Sequence, residues 1–96
     1  MTIPIINLPK TGANINSLRK KANMSVKDLQ KIFGFATPQA IYKWIHGKSL
    51  PSTDNLLILA NVFNVNIENI LSIDYKNYHK DRYEVEGYMV QDPWDV

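Results

Sequence analysis

Between residues 14 and 71 the apolar positions recur at helical spacing in five short runs separated by turn residues. Asn14 stands where it would cap a first helix with Ile15, Leu18 and Ala22 inward and Arg19, Lys20 and Lys21 towards water. Ser25, with Asp28 three residues on, has the form of a capping box with a short acid. The second helix it opens turns Leu29, Ile32 and Phe33 inward, and Gly34 supplies a left-handed stop. Thr37-Pro38 predicts a cap followed by proline at the first helical position, where a missing N–H leaves no bond unmade. The third helix buries Ile41, Trp44 and Ile45 and stops at Gly47. Pro51-Ser52 opens a fourth, with Leu56, Leu59, Ala60 and Phe63 inward, and Asn66 caps a last turn carrying Ile67, Ile70 and Leu71. Helices this short are held by packing rather than by propensity. The predicted core is all-α.

The two ends differ from this core. Residues 1–13 hold Pro4, Pro9, Gly12 and the run Ile3, Ile5, Ile6, which reads as an extended N-terminal arm. Residues 72–96 carry five of the ten aromatics and no helical repeat, so they form a separate acidic aromatic tail after the helical domain of residues 14–71. Within the tail, Tyr83, Val85 and Met89 share one face and Arg82, Glu84 and Glu86 the other. That alternation predicts a short β segment, in a hairpin with residues 73–78 or paired with the isoleucine-rich arm, within one chain or between two. The other reading is a flexible tail, which its acids and the closing Asp92-Pro93-Trp94 permit.

Charge and composition narrow the function. Ninety-six residues are enough for one core and too few for two. The absence of cysteine excludes a disulfide framework and a thiolate zinc site, and fits the cytoplasm. No run of about eighteen apolar residues spans a membrane, and the first ten residues lack the pattern of a secretory signal. The net +2 is uneven: residues 1–71 carry eight Lys/Arg against Asp28, Asp54 and Glu68, whereas residues 72–96 carry three against six acids. A basic body with an acidic tail favours a polyanionic partner for the body. His46 and His79 stand far apart and no glycine-rich phosphate loop exists, so no catalytic constellation, metal site or cofactor is expected. The three body acids are explained as helix-start charges.

Only Gly34-Phe35-Ala36-Thr37 separates the second and third helices, a link short enough to force the sharp angle of a helix-turn-helix. Residues 14–71 resemble the phage-repressor/Cro (XRE) family of DNA-binding domains. The most specific pieces are LRKKANMS, the W-x-x-G-K-x-x-P-S run from Trp44 to Ser52, and LANVFNVNIENIL, all in register. The resemblance implies a five-helix repressor-like domain whose third helix enters the major groove of duplex DNA. Carried over by position, the base readers are Thr37, Gln39 and Lys43, with Ala40 against a thymine methyl. The chemistry agrees: a glutamine amide matches the major-groove edge of adenine, and lysine suits the two acceptors of guanine. Pro38 occupies a position that is often a polar reader, which reduces the direct base contacts. The implied phosphate-facing residues are Arg19, Lys20, Ser25, Lys27, Tyr42, His46 and Lys48.

Three departures from the family pattern matter. Val26 replaces a common phosphate-binding glutamine, Gln30 a small residue near the helix crossing, and Ile45 a glutamate that would pair with Arg19. Arg19 therefore needs another partner or is free for phosphate. Blander readings also stand: Gln39 and Lys43 as solvated helix residues, Tyr42 as a shield rather than a sugar-stacking ring, His46 bonded to a helix-end carbonyl. Arg19-Lys20-Lys21 alone is a solvated face; with Lys10, Lys27, Lys43 and Lys48 it traces a phosphate-facing ridge. Trp44 belongs to the core. The expected function is transcriptional regulation, as a repressor binding an operator as a homodimer, with the tail open to a protein partner. The alternative is an antitoxin that autoregulates through the same domain while arm or tail holds a toxin. A third reading keeps the helical core for protein contacts only.

Overall fold

A computed structural model describes residues 1–78 of the chain. Five helices lie between two short strands: β1 (Thr2–Ile6), α1 (Leu8–Lys21), α2 (Val26–Phe33), α3 (Gln39–Ile45), α4 (Thr53–Phe63), α5 (Ile67–Ile70) and β2 (Ile73–Asn77). Each helix sends one fully buried aliphatic residue to a common centre: Ile15, Leu29, Ile41, Leu59 and Ile70. Trp44, Leu56, Ala60 and Phe63 complete the core, and Leu18, Phe33 and Ile45 pack against it half-buried. The core is all-α, as its periodicity predicts, with a small antiparallel sheet joining the ends of the described chain.

The first helix starts earlier than its sequence suggests. Asn7, not Asn14, is the cap, accepting the Lys10 N–H at 3.0 Å, and Pro9 falls in the first turn, where its missing N–H is harmless. The extended arm is therefore shorter than residues 1–13: β1 ends at Ile6, and Asn7, itself extended, turns the chain into α1. Asn14 lies inside α1 and donates its amide to the Ile70 carbonyl at 3.0 Å, closing the end of α5. Ala22, expected inward, is exposed because α1 ends at Lys21 and Ala22 follows as its C-cap.

The capping box of α2 forms as read: the Asp28 N–H donates to Ser25 Oγ at 3.0 Å and the Ser25 N–H to the Asp28 carboxylate at 2.8 Å. Gly34 is left-handed at φ 69°. Ile32, expected inward, is 46% exposed. At about 100° per residue, Val26, Leu29, Gln30 and Phe33 fill one arc of the helix, and Ile32 falls beyond its edge. Gln30 occupies that arc, and its Nε2 donates to the Phe35 carbonyl at 3.2 Å. The departure from a small residue thus supplies a brace for the turn.

The start of α3 also differs. Pro38 occupies the cap position without a side-chain bond, and its carbonyl accepts the Tyr42 N–H at 3.1 Å. Thr37 makes no cap, because it is spent on the bend that brings the chain from Gly34 into α3. Ser52 caps α4 through the Asn55 N–H at 3.2 Å, and the Asn66 N–H donates to Asn69 Oδ1 at 3.2 Å at the start of α5.

Strand β2 pairs with β1, matching Thr2 with Asn77, Pro4 with Tyr75 and Ile6 with Ile73. The arm therefore pairs within the chain with residues 73–77, while the alternating segment 82–90 lies outside the described residues. Ser72 fixes the junction: its N–H donates to the buried Thr11 hydroxyl at 2.9 Å and its carbonyl accepts the Asn7 N–H at 2.8 Å. No described helix is long and apolar enough to cross a membrane.

Candidate nucleic-acid interface

One side of α3 is anchored and the other is open. Ile41 and Trp44 are buried, and the indole meets Phe33 and Phe35 edge-on at centroid separations of 5.3 and 5.9 Å. Phe33 and Phe35 stack on each other at 5.1 Å across the turn. This aromatic trio, with the Gln30 brace, fixes the angle between α2 and α3. On the opposite side Gln39, Tyr42, Lys43 and His46 are exposed, and Thr37 is exposed on the bend before the helix. Gln39 and Lys43 are one turn apart and share a face. Tyr42 and His46 form the adjacent row, with stacked rings 6.0 Å apart. Ala40 is half-buried against the core, which leaves less of its methyl for a thymine than Gln39 and Lys43 leave of their polar ends.

The residues expected at phosphate divide in two. Lys20, Ser25, Lys27 and Lys48 are exposed, with Lys48 held just beyond α3 by its N–H to the Lys43 carbonyl at 2.8 Å. Arg19 is half-buried and engaged: Nε and Nη2 donate to Asn16 Oδ1 at 3.1 and 2.7 Å, and Nη1 to the Met24 carbonyl at 2.8 Å. With isoleucine at position 45, the guanidinium takes these local partners and fastens the α1–α2 connection. Val26 is half-buried against the core, so it is used for packing.

The Ser25 backbone N–H, with its hydroxyl, holds the Asp28 carboxyl below its ordinary value. A lowered folded value means that ionised Asp28 contributes stability above the ordinary carboxylate range and loses it as pH falls through the folded value. Asp28→Asn should therefore be less stable than wild type near neutrality. The gap should close on acidification, as read from denaturation midpoints across the acid range.

One positioning residue carries a sequence signal that the arm reading hides. Leu8, Thr11, Ile15 and Leu18 already follow helical spacing, and Gly12 lies on that stripe. A Cβ built on Gly12 would overlap the Trp44 carbonyl and come within 2.6 Å of the Ile45 carbonyl and 3.0 Å of the Gly47 nitrogen. Only a glycine lets α1 lie directly on the last turn of α3. Gly47 is left-handed at φ 69° and reciprocates, its Cβ direction meeting the Pro9 backbone at 2.7 Å.

Comparison with known proteins agrees with this architecture. No curated protein matches the chain. The crystal structure of the DNA-binding domain of BldD superposes with a TM-score of 0.58 at 18% identity, covering 68% of this chain and 93% of that one. A helix-turn-helix family model matches residues 15–70, the span of the aromatic-braced α2–turn–α3 unit and its supporting helices. The chain belongs to the helix-turn-helix family, of the XRE type.

Proposed function

We propose that this protein is a transcriptional regulator that binds duplex DNA sequence-specifically, acting in the cytoplasm as a repressor and as a homodimer. The observation that carries the reading is the outer face of α3: Gln39 and Lys43 exposed together on a helix whose opposite face is locked by Ile41 and Trp44. Rigid backing suits base reading, because a reader held in one orientation discriminates donors from acceptors. Gln39 and Lys43 are the base readers, with Thr37 at the helix entry and Ala40 as a minor apolar contact. Lys20, Ser25, Lys27, Tyr42, His46 and Lys48 supply phosphate contacts, and Arg19 serves by holding Met24 next to Ser25. The BldD domain named for binding DNA shares the fold, which supports the same use here. A recognition helix of seven residues offers few readers. Doubling the site in a dimer, with half-sites about one helical turn or roughly 34 Å apart, supplies the missing specificity.

The test is selection from a random duplex library, followed by titration of the winner across salt. Affinity should fall with a log–log slope of about −0.9 per phosphate contact. A flat response to salt would overturn the proposal. On the selected site Gln39→Ala should cost roughly 1–3 kcal/mol and relax preference at one base pair. Lys48→Ala should instead weaken selected and random duplexes alike. Equal losses on both duplexes for Gln39→Ala would remove it from the reading set.

A further inference from the structure

The terminal sheet has two outer edges, and they are not equivalent. The Tyr78 N–H donates to the Met1 carbonyl at 2.7 Å and the Asn7 N–H to the Ser72 carbonyl at 2.8 Å. These bonds bracket the ladder, and antiparallel pairs alternate between bonded and non-bonded. Ile3 with Lys76 and Ile5 with Asp74 are therefore bonded pairs, while Thr2 with Asn77, Pro4 with Tyr75 and Ile6 with Ile73 are not. Residues of the non-bonded pairs turn their backbone groups outward. On β1 that row is Thr2, Pro4 and Ile6, interrupted at the centre because proline has no N–H. On β2 it is Ile73, Tyr75 and Asn77, with every donor and acceptor present. No described strand pairs with that edge.

The side chains favour one occupant. Pro4, Ile6, Ile73 and Tyr75 lie on one face of the sheet, with Ile6 38%, Ile73 40% and Tyr75 68% exposed. A two-stranded ribbon with an uncovered apolar face is marginal by itself. The strand Ile73-Asp74-Tyr75-Lys76-Asn77 is also self-complementary in charge. Laid antiparallel on a copy of itself about Tyr75, it sets Asp74 opposite Lys76 and Lys76 opposite Asp74. Tyr75 then meets Tyr75 as a bonded pair, which is the phase the outward backbone groups require. An isologous contact needs this kind of self-matching.

We propose that a second copy of this chain adds to the outer edge of β2 about a two-fold axis at Tyr75, giving a four-stranded sheet across the dimer. The inference names the surface of the dimer proposed above and rests on that reading. The β1 edge, broken at Pro4, stays outermost and closes the assembly. Asp74 accepts the Asn7 amide at 3.0 Å through one carboxylate oxygen, which leaves the other for the partner's lysine.

The test is sedimentation of the full chain without DNA, with helical circular dichroism as the check on folding. Asp74→Lys sets lysine against lysine, and Lys76→Asp sets aspartate against aspartate. Each alone should lose roughly tenfold or more in self-association. Mixed in equal amounts they should restore the dimer, because each variant's reversed charge then faces its opposite. Lys76→Asp leaves the Asn7 contact untouched, so it remains decisive if Asp74→Lys folds poorly. A mixture that stays monomeric overturns the pairing. So does a wild-type dimer that both variants leave intact; its dissociation by Leu57→Lys would put the interface on α4, where Leu57 is 55% and Ile58 39% exposed, and keep the dimer reading. A monomeric wild type whose Ile73, Tyr75 and Asn77 amides resist exchange overturns it too, with the chain's own residues 82–90 on the edge. Binding to the selected duplex, measured separately, tests the regulator reading independently of this edge.

Discussion

Trp44→Ala is expected to cost about 3–5 kcal/mol of folding stability, the range for truncating a buried aromatic. Trp44 is 4% exposed and is the member of the aromatic trio that joins α3 to α2 and the turn. Its removal opens a cavity that Phe33 and Phe35 cannot fill while they stay stacked on each other. A small domain has only about 5–15 kcal/mol in total, so a large share of the stability goes with one side chain. Urea denaturation followed by circular dichroism reads the loss directly. Trp44→Phe, which keeps a ring facing Phe33 and Phe35, should recover much of it. A loss below about 1 kcal/mol for alanine would mean that the indole is not the joint between α2 and α3.

Gly12→Ala carries the second large effect, and its sign is the informative part. In an exposed helix interior, alanine in place of glycine stabilises by about 1 kcal/mol. Here the added methyl meets the carbonyls of Trp44 and Ile45, which are backbone and cannot rotate away. Overpacking of this kind costs about 1–3 kcal/mol, so the substitution should destabilise despite the better helix former. Relief would come by sliding α1 off the end of α3, which also loosens the helix carrying Gln39 and Lys43. The expected result is a lower denaturation midpoint together with weaker discrimination between selected and random duplexes. A rise in the midpoint would mean that α1 and α3 do not touch at Gly12.

Where local pattern misleads, the cause is the same each time. Asn14 and Asn7 are both good caps, and local preference favours Asn14 because Pro9, Thr11 and Gly12 read as breaks. The chain continues the helix through them because Thr11 satisfies the Ser72 N–H and Gly12 admits the α3 backbone. Ile32 resembles a core residue because one face of a short helix cannot be phased from its own residues. Gln30 takes that place through a bond to Phe35. Arg19 lacks its family partner and finds Asn16, one turn back on α1, and the Met24 carbonyl, which is reachable only once α1 has ended.

Local stereochemistry and period are enough to specify most of the helical core. The five helices, the Ser25–Asp28 box, the left-handed Gly34 and the inward positions Ile15, Leu29, Ile41, Trp44 and Leu59 are of this kind, as is the spacing that makes α2 and α3 a helix-turn-helix. Each is marked by a cap, a turn residue or an apolar period within a few residues, and the packing that holds helices this short reinforces the same choice. Three features instead required the assembled fold: where α1 begins, the pairing of β1 with β2 across more than sixty residues, and the close backbone approach at Gly12 and Gly47. Those outcomes depend on residues far apart in the chain arriving at one place, and a glycine gives no local sign of whether its missing side chain leaves room for a turn or for another helix.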